Sequence, residues 1–233
     1  MKTKCKSIIR VACHSFGGAV CAAAVLMIVG ANARADIPPP PPLLYSSAGF
    51  GGPELDGASV LSGQWYGVRF QLTRTSVITD VGANIEAMPG YGDGRYFGAV
   101  VRLTSMTDFP NSTSLTTPDV LGVTTFAPGS PSSDVVAPIG PLTVGPGTYA
   151  LVIGTGLFGV SGIGHMPIDN PNPIPASFFA LQGGTQWLGI SPSDNIDFRM
   201  TVYGVPEPTV LQMLAPVVLV SLYRSLRTRN TRR

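Results

Sequence analysis

The chain has 233 residues, a formal net charge of +2 and only 12% charged residues. Its basic residues concentrate at the two ends, and residues 36–204 keep five arginines against twelve carboxylates, a balance of 5 − 12 = −7. Because this body contains neither lysine nor cysteine, the sequence excludes a nucleic-acid partner, a disulfide and a thiolate metal site there.

Residues 1–35 have the three parts of a secretory signal peptide. A basic start with three lysines and Arg10 precedes the apolar run Ala19–Gly30. Ala33 and Ala35 then form the small-x-small pattern that signal peptidase prefers, so we expect cleavage before Asp36. A retained N-terminal membrane anchor is the alternative.

Residues 36–45 are predicted to form a spacer. Five consecutive prolines, Pro38–Pro42, favour the stiff and extended polyproline II conformation.

Residues 46–204 are predicted to form one all-β domain. Short segments of alternating apolar and polar residues are bounded by Gly, Pro, Asn and Asp, which is typical of an antiparallel β-sandwich with a jelly-roll-like arrangement. The predicted strands are 67–73, 77–85 (broken at Gly82), 96–104, 120–126, 134–139, 142–144, 148–153, 177–181, 186–190 and 198–203. The predicted core consists of Val68, Phe70, Leu72, Val81, Ile85, Val100, Leu103, Leu121, Phe126, Tyr149, Leu151, Ile153, Phe179 and Phe198.

Two apparent catalytic patterns lack the context that their chemistry needs. Residues 154–159 spell G-x-G-x-x-G, but the glycine-rich continuation cannot form the helix that holds a dinucleotide pyrophosphate, so a corner of the sandwich is the better interpretation. His165, the single histidine of the body, has Ser161 and Asp169 only as close sequence neighbours, whereas a catalytic triad converges from separate segments. We therefore expect His165 to lie in a surface loop and the body to be non-enzymatic. A secreted glycoside hydrolase is the less favoured second alternative. The scattered carboxylates of the body neither identify nor exclude the pair of catalytic carboxylic acids that such an enzyme needs.

No metal or other cofactor is predicted. A single histidine without cysteine makes a zinc site improbable, while calcium needs only oxygen ligands and stays open at Asp93, at Asp169–Asn170 and at Asp194–Asp197. For each of these the competing interpretation is a turn capped by Asp or Asn side chains.

Aromatic residues near turns give the one indication of a ligand. Trp65, Tyr91 and Trp187 would stack on sugar rings if exposed, whereas core packing is the commoner fate of aromatic rings in a sandwich. A carbohydrate-binding module for extracellular polysaccharide is therefore the alternative function.

The C-terminal segment, residues 205–233, combines three features in a fixed order. Pro206, Glu207 and Pro208 form a Pro-Glu-Pro motif, which we expect to stop the preceding strand and to be extended and exposed. A mostly apolar run, residues 209–223, is predicted to be a transmembrane helix. The segment ends in a basic cluster that would stay on the cytoplasmic side: Arg224, Arg227, Arg229, Arg232 and Arg233.

This order resembles the PEP-CTERM sorting signal of exported bacterial proteins. The phrases Gly67–Phe70, Gly147–Leu151 and Gly156–Gly159 also look like those of β-sandwich domains that precede such tails. The resemblance implies that a membrane transpeptidase of the exosortase type reads the motif, removes the tail and passes the body to the cell surface or extracellular matrix. The apolar run spans only about 22 Å against a bilayer core of ~30 Å, which suits a transient segment better than a lasting anchor. An ordinary C-terminal membrane anchor is the alternative.

Overall fold

The computed structural model describes residues 41–53, 57–173, 178–191 and 196–207. The predicted signal peptide with Ala33 and Ala35, residues 36–40 of the spacer, and the tail from Pro208 onward lie outside the described residues. Within the described ranges the chain is all-β and contains no helix.

The described ranges contain twelve β-strands. They are β1 (Leu43–Ser46), β2 (Ala58–Val60), β3 (Trp65–Leu72), β4 (Ser76–Gly92), β5 (Tyr96–Leu103), β6 (Val120–Phe126), β7 (Ser133–Val144), β8 (Gly147–Gly154), β9 (Gly162–Met166), β10 (Phe178–Gln182), β11 (Gln186–Gly189) and β12 (Met200–Pro206).

The strands form two six-stranded antiparallel sheets, as in a β-sandwich. The first sheet has the order β1-β12-β4-β9-β2, with β7 paired to the other side of β4. The second has the order β11-β10-β3-β8-β5-β6. The sheets approach each other at their β6 and β7 edges, where Gly122 of β6 leaves room for the side chain of Leu142 of β7.

The inner faces of the two sheets enclose the main core. The alternating residues Val68, Phe70 and Leu72 of β3 meet Ile78, Val81 and Ile85 of β4 in one buried cluster. The predicted core residues are all buried, apart from Leu121, which is half-buried against this cluster.

The second sheet is also apolar on its outer face, which alternation alone did not predict. Trp65, Phe97 and Phe179 pack there in a separate cluster with Leu103 and with Leu115 from the β5–β6 loop. Leu103 and Phe179 therefore belong to this outer cluster and not to the inner core. Loop residues such as Leu115 cover this face, so the central strands β3, β5, β8 and β10 of the second sheet are largely buried on both sides.

Strand β4 is longer than predicted and passes through Gly82 without a break. A Cβ at Gly82 would lie 2.5 Å from the Val135 carbonyl oxygen and 2.7 Å from Thr201 Oγ1, which belong to the two strands that flank β4. This glycine is therefore required by close approach of the neighbouring strands, and it does not interrupt the strand.

Three strands were missed in the sequence, namely β1, β2 and β9. The first two are only four and three residues long. Strand β9 reads Gly-Ile-Gly-His-Met, and its two glycines hide its alternation. The sheet consequently begins at Leu43, inside the segment predicted as spacer.

Candidate functional site

The candidate ligand surface lies at the far end of β4, where the chain turns into β5. Tyr91 stands there with 51% of its surface exposed. The neighbouring Gly90, Gly92 and Gly94 have φ of +87°, +69° and +66°, a region that glycine adopts readily and other residues rarely do. Glycines on both sides leave the two faces of the Tyr91 ring without bulky neighbours in sequence.

Two hollows meet at Tyr91. One, of about 520 Å³, is lined by Leu61, Ser62, Thr155, Ser161 and Ile163 in addition to the glycines. The other, of about 380 Å³, lies between residues 87–94 and the segment 127–130. Tyr91 thus lines both a larger and a smaller hollow, and an exposed aromatic ring beside such hollows suits stacking on a flat ligand.

Asp93 fixes the turn that carries Tyr91. Its Oδ1 accepts hydrogen bonds from the backbone amides of Ser161 (2.8 Å) and Arg95 (2.9 Å), while its own amide donates to the Ser161 carbonyl oxygen at 2.9 Å. Desolvation alone would raise the pKa of Asp93, but these amide hydrogen bonds, with the Arg95 charge, outweigh it and hold the pKa below its usual value. The carboxylate therefore clamps the β4–β5 turn to the loop before β9.

This clamp predicts an acid-dependent change at the Tyr91 end. A lowered pKa in the folded protein means that the ionised carboxylate stabilises the fold above the ordinary Asp pKa, and that this contribution is lost as the pH falls through the lowered value. We expect the amide resonances of Ser161 and Arg95 to titrate together in NMR spectra, with a midpoint below the usual pKa of an aspartate.

The Asp93→Asn variant is the control for this titration, because it removes the charge with little change in shape. If the two amide resonances titrate unchanged in that variant, Asp93 is not the clamp.

The Tyr91 end lies far from the place where the described chain enters and leaves the sheet. The amide of Gly204 in β12 donates to the Pro42 carbonyl oxygen at 2.9 Å, and the amide of Glu207 donates to Thr75 at 3.0 Å, beside the start of β4. Tyr91 is 91 − 76 = 15 residues along β4 from Ser76, although register irregularities between Ile78 and Asp80 and between Ala87 and Gly92 shorten this strand. The two ends of the described part of the chain are therefore adjacent, and Tyr91 lies near the opposite end of β4.

The structure separates the three aromatic residues that the sequence grouped as ligand candidates. Trp65 is buried, with its Nε1 donating to the Thr155 carbonyl oxygen at 2.7 Å and its ring meeting Phe97 edge to face at 5.1 Å. Trp187 is half-buried against the Phe179 ring at 5.3 Å. The buried Trp65 ring has no free face for a sugar and packs in the core, the alternative given for it, whereas Tyr91 is the exposed member of the three.

The glycine-rich segment after β8 has the role expected of a sandwich corner. Gly156 and Gly159 have φ of +87° and +74°, and Gly154 leaves room for the Trp65 and Phe97 rings. The chain then enters β9, where His165 is half-buried, so its predicted place in a surface loop is wrong.

The calcium candidates are engaged in turns where they are described. Asn170 is buried, accepts from the Gly51 amide at 3.2 Å and donates to the Pro167 carbonyl oxygen at 3.0 Å. Asp194 and Asn195 lie outside the described residues. Across the described ranges, no group of three or more His, Cys, Asp or Glu side chains comes together as metal ligands.

No protein-family model matches the chain, and no curated protein matches it at a significant level. Among the described strands and loops there is no helix long and apolar enough to cross a membrane.

Proposed function

We propose that this protein is an exported surface or matrix protein of a bacterium, sorted by a transpeptidase of the exosortase type, with a non-catalytic jelly-roll-like body. The observation that carries the proposal is the position of the Pro-Glu-Pro motif. Pro206 is the last residue of β12, where it pairs with Ser76 and is half-buried, so it is neither outside the strand nor exposed as expected; the exposed Glu207 follows as the last described residue. The motif thus begins in the last described strand and continues into the exposed Glu207, and a membrane enzyme would need such exposure for access.

The adjacency of the two ends of the described part of the chain supports the same proposal. An export signal and a sorting tail that leave the body side by side would hold it by one end during processing. Tyr91, near the far end of β4, would then lie at the end turned away from the membrane.

The motif predicts a processing defect that can be measured. The double variant Glu207→Ala/Pro208→Ala leaves every described strand intact, because Glu207 is exposed and follows β12. In the native host we expect the variant to keep residues 209–233 and to accumulate in the membrane fraction, as judged by immunoblotting with an antibody to the tail. The variant Pro173→Ala, at an exposed loop proline, should be processed normally. Normal processing of the double variant would contradict the proposal.

A second candidate function is binding of extracellular polysaccharide, and the exposed Tyr91 between two hollows favours it. Stacking requires the ring and not the hydroxyl group, so Tyr91→Phe should bind the host exopolysaccharide normally, while Tyr91→Ala should bind about tenfold more weakly. Affinity electrophoresis in gels that contain the polysaccharide measures this. Equal mobility of the protein with and without every polysaccharide tried would exclude the second function and leave the first untouched.

A further inference from the structure

A polar layer on the outer face of the first sheet contains buried atoms that lack partners. Asn84 and Glu86 are 0% and 5% exposed, although both point away from the inner core. Asn84 Oδ1, Glu86 Oε2 and His165 Nδ1 are each buried without a hydrogen-bond partner. Such atoms are rare, because an unsatisfied buried polar group costs free energy, and a buried carboxylate is normally paired or bound to a metal ion.

The sheet register brings these three residues together. Glu86 of β4 lies directly opposite His165 of β9, and residues in that position have Cβ atoms about 4.5–5.5 Å apart. Asn84 precedes Glu86 by two residues on the same face of β4, roughly 6.6 Å away along the strand. The three residues with orphan atoms therefore lie on one face of the sheet, at neighbouring positions.

The surroundings bury this patch and orient its side chains. The Asn84 amide group donates to the carbonyl oxygen of Gly52 at 3.5 Å, so the segment before β2 lies over the patch. Ser130 donates to Glu86 Oε1 at 2.7 Å, which fixes one carboxylate oxygen and leaves Oε2 as the free one. An outer hydrogen bond of this kind commonly orients a carboxylate that binds a metal.

No cation of the described chain neutralises Glu86. Arg199, the charged neighbour on this face, forms its ion pair with Asp134 at 2.8 Å and also donates to the Ala48 carbonyl oxygen at 2.6 Å. The Glu86 charge also affects the pKa of Tyr96, which lies on the inner side of the sheet. There burial raises the pKa of Tyr96 to about 12, and the charges of Glu86 and Asp93 add to that rise.

We propose that Asn84, Glu86 and His165 bind a divalent transition-metal ion, with Zn²⁺ as the representative ion. The donor set decides the class of ion: an imidazole nitrogen with a carboxylate and an amide oxygen suits first-row transition ions, whereas calcium requires six to eight oxygens. His165 is half-buried on a strand that only the short β2 separates from the sheet edge, which gives the ion an entry path. Three protein donors leave a coordination position open to water, so the site differs from a closed structural zinc site.

Zn²⁺ alone is the probe that tests this proposal. We would use the full chain in detergent micelles, with His14 replaced by alanine and the cysteines alkylated, so that His165 is the one histidine left. Isothermal titration calorimetry should show one saturable Zn²⁺ per chain. Glu86→Gln and His165→Gln should each weaken binding by at least about tenfold, since even the loss of outer partners weakens metal sites tenfold or more. Glu207→Gln, the same change at an exposed position, should bind as the parent chain does.

Thermal unfolding gives an independent readout that does not require the variants to bind. With EDTA present, Glu86→Gln should unfold at a temperature equal to or above that of the parent chain, because it removes an unpaired buried charge. With Zn²⁺ present the order should reverse, and the parent midpoint should rise with the Zn²⁺ concentration. If Glu86→Gln fails to fold, His165→Gln at the half-buried position carries the test. Absence of saturable binding, or binding that neither substitution weakens, would overturn the proposal and leave buried water as the partner of these atoms.

Discussion

Gly164→Ala is expected to destabilise the body more than any other single methyl addition in strand β9. A Cβ at Gly164 would overlap the backbone carbonyl oxygen of Glu86 and the hydroxyl oxygen of Tyr96. The Glu86 carbonyl cannot move away without separating β9 from β4, since Gly164 pairs with Ala87 beside it. Overpacking of this kind typically costs 1–3 kcal/mol, and a clash with backbone belongs at the upper end, so we expect the free energy of unfolding to fall by about 3 kcal/mol.

Urea denaturation measures this loss, and Gly189→Ala is its control. Gly189 is also a strand glycine, but a Cβ there meets nothing within 4 Å, so the control should lie within about 0.5 kcal/mol of the parent chain. Because Met166 of β9 is fully buried in the main core, the loss in Gly164→Ala should appear in the global unfolding transition. Equal stability of the two variants would show that β9 does not pack against β4 as described.

Arg69→Ala is the second substitution with a large expected effect. Arg69 is 4% exposed, and its guanidinium carbon lies 4.6 Å from the ring centroids of both Phe109 and Phe179. Its Nε donates to the Asp108 carbonyl oxygen at 2.7 Å and its Nη1 to that of Phe178 at 3.4 Å. Burial lowers the pKa of Arg69, partly offset by the Asp108 charge, so the cation is costly to place there and depends on these contacts.

Removing the guanidinium leaves two carbonyl oxygens without their donor and two rings without their cation. Lost cation–π contacts of about 1 kcal/mol and an unsatisfied acceptor of about 1–3 kcal/mol together predict a loss of about 3 kcal/mol. The β5–β6 loop, residues 104–119, should become open to proteolysis, since Asp108 and Phe109 of this loop are held by Arg69. Arg102→Ala, at an exposed arginine, should leave both stability and proteolysis unchanged, and equal behaviour of the two variants would contradict this role of Arg69.

The fold class could be predicted because alternation is a local signal. Residues 120–126 were predicted with the same bounds as β6, and 67–73 nearly match β3, since apolar and polar residues alternate there between clear turn residues. Strand β9 was missed because its glycines serve a long-range need: Gly164 makes room for Glu86 and Tyr96, which are about 80 and 70 positions earlier in the sequence. Gly82 was taken as a break for the same reason.

The candidate sites could be predicted only in part. The glycines around Tyr91 indicate an exposed turn, and the structure places that ring at the surface. Trp65 also precedes an apparent strand, but the outer cluster that buries it depends on a loop that sequence alternation does not place. Asn84 and Glu86 alternate with buried Ala83 and Ile85, which indicates an outward direction, yet their burial depends on the segment that carries Gly52.

The intact mass of the protein recovered from the native cell envelope tests the central proposal most directly. The proposal predicts a chain that begins at Asp36 and ends near Pro208, with or without the added mass of a surface group joined by the transpeptidase. A mass that retains residues 209–233 would contradict sorting by tail removal, and would instead show that the C-terminal segment remains attached as an ordinary anchor.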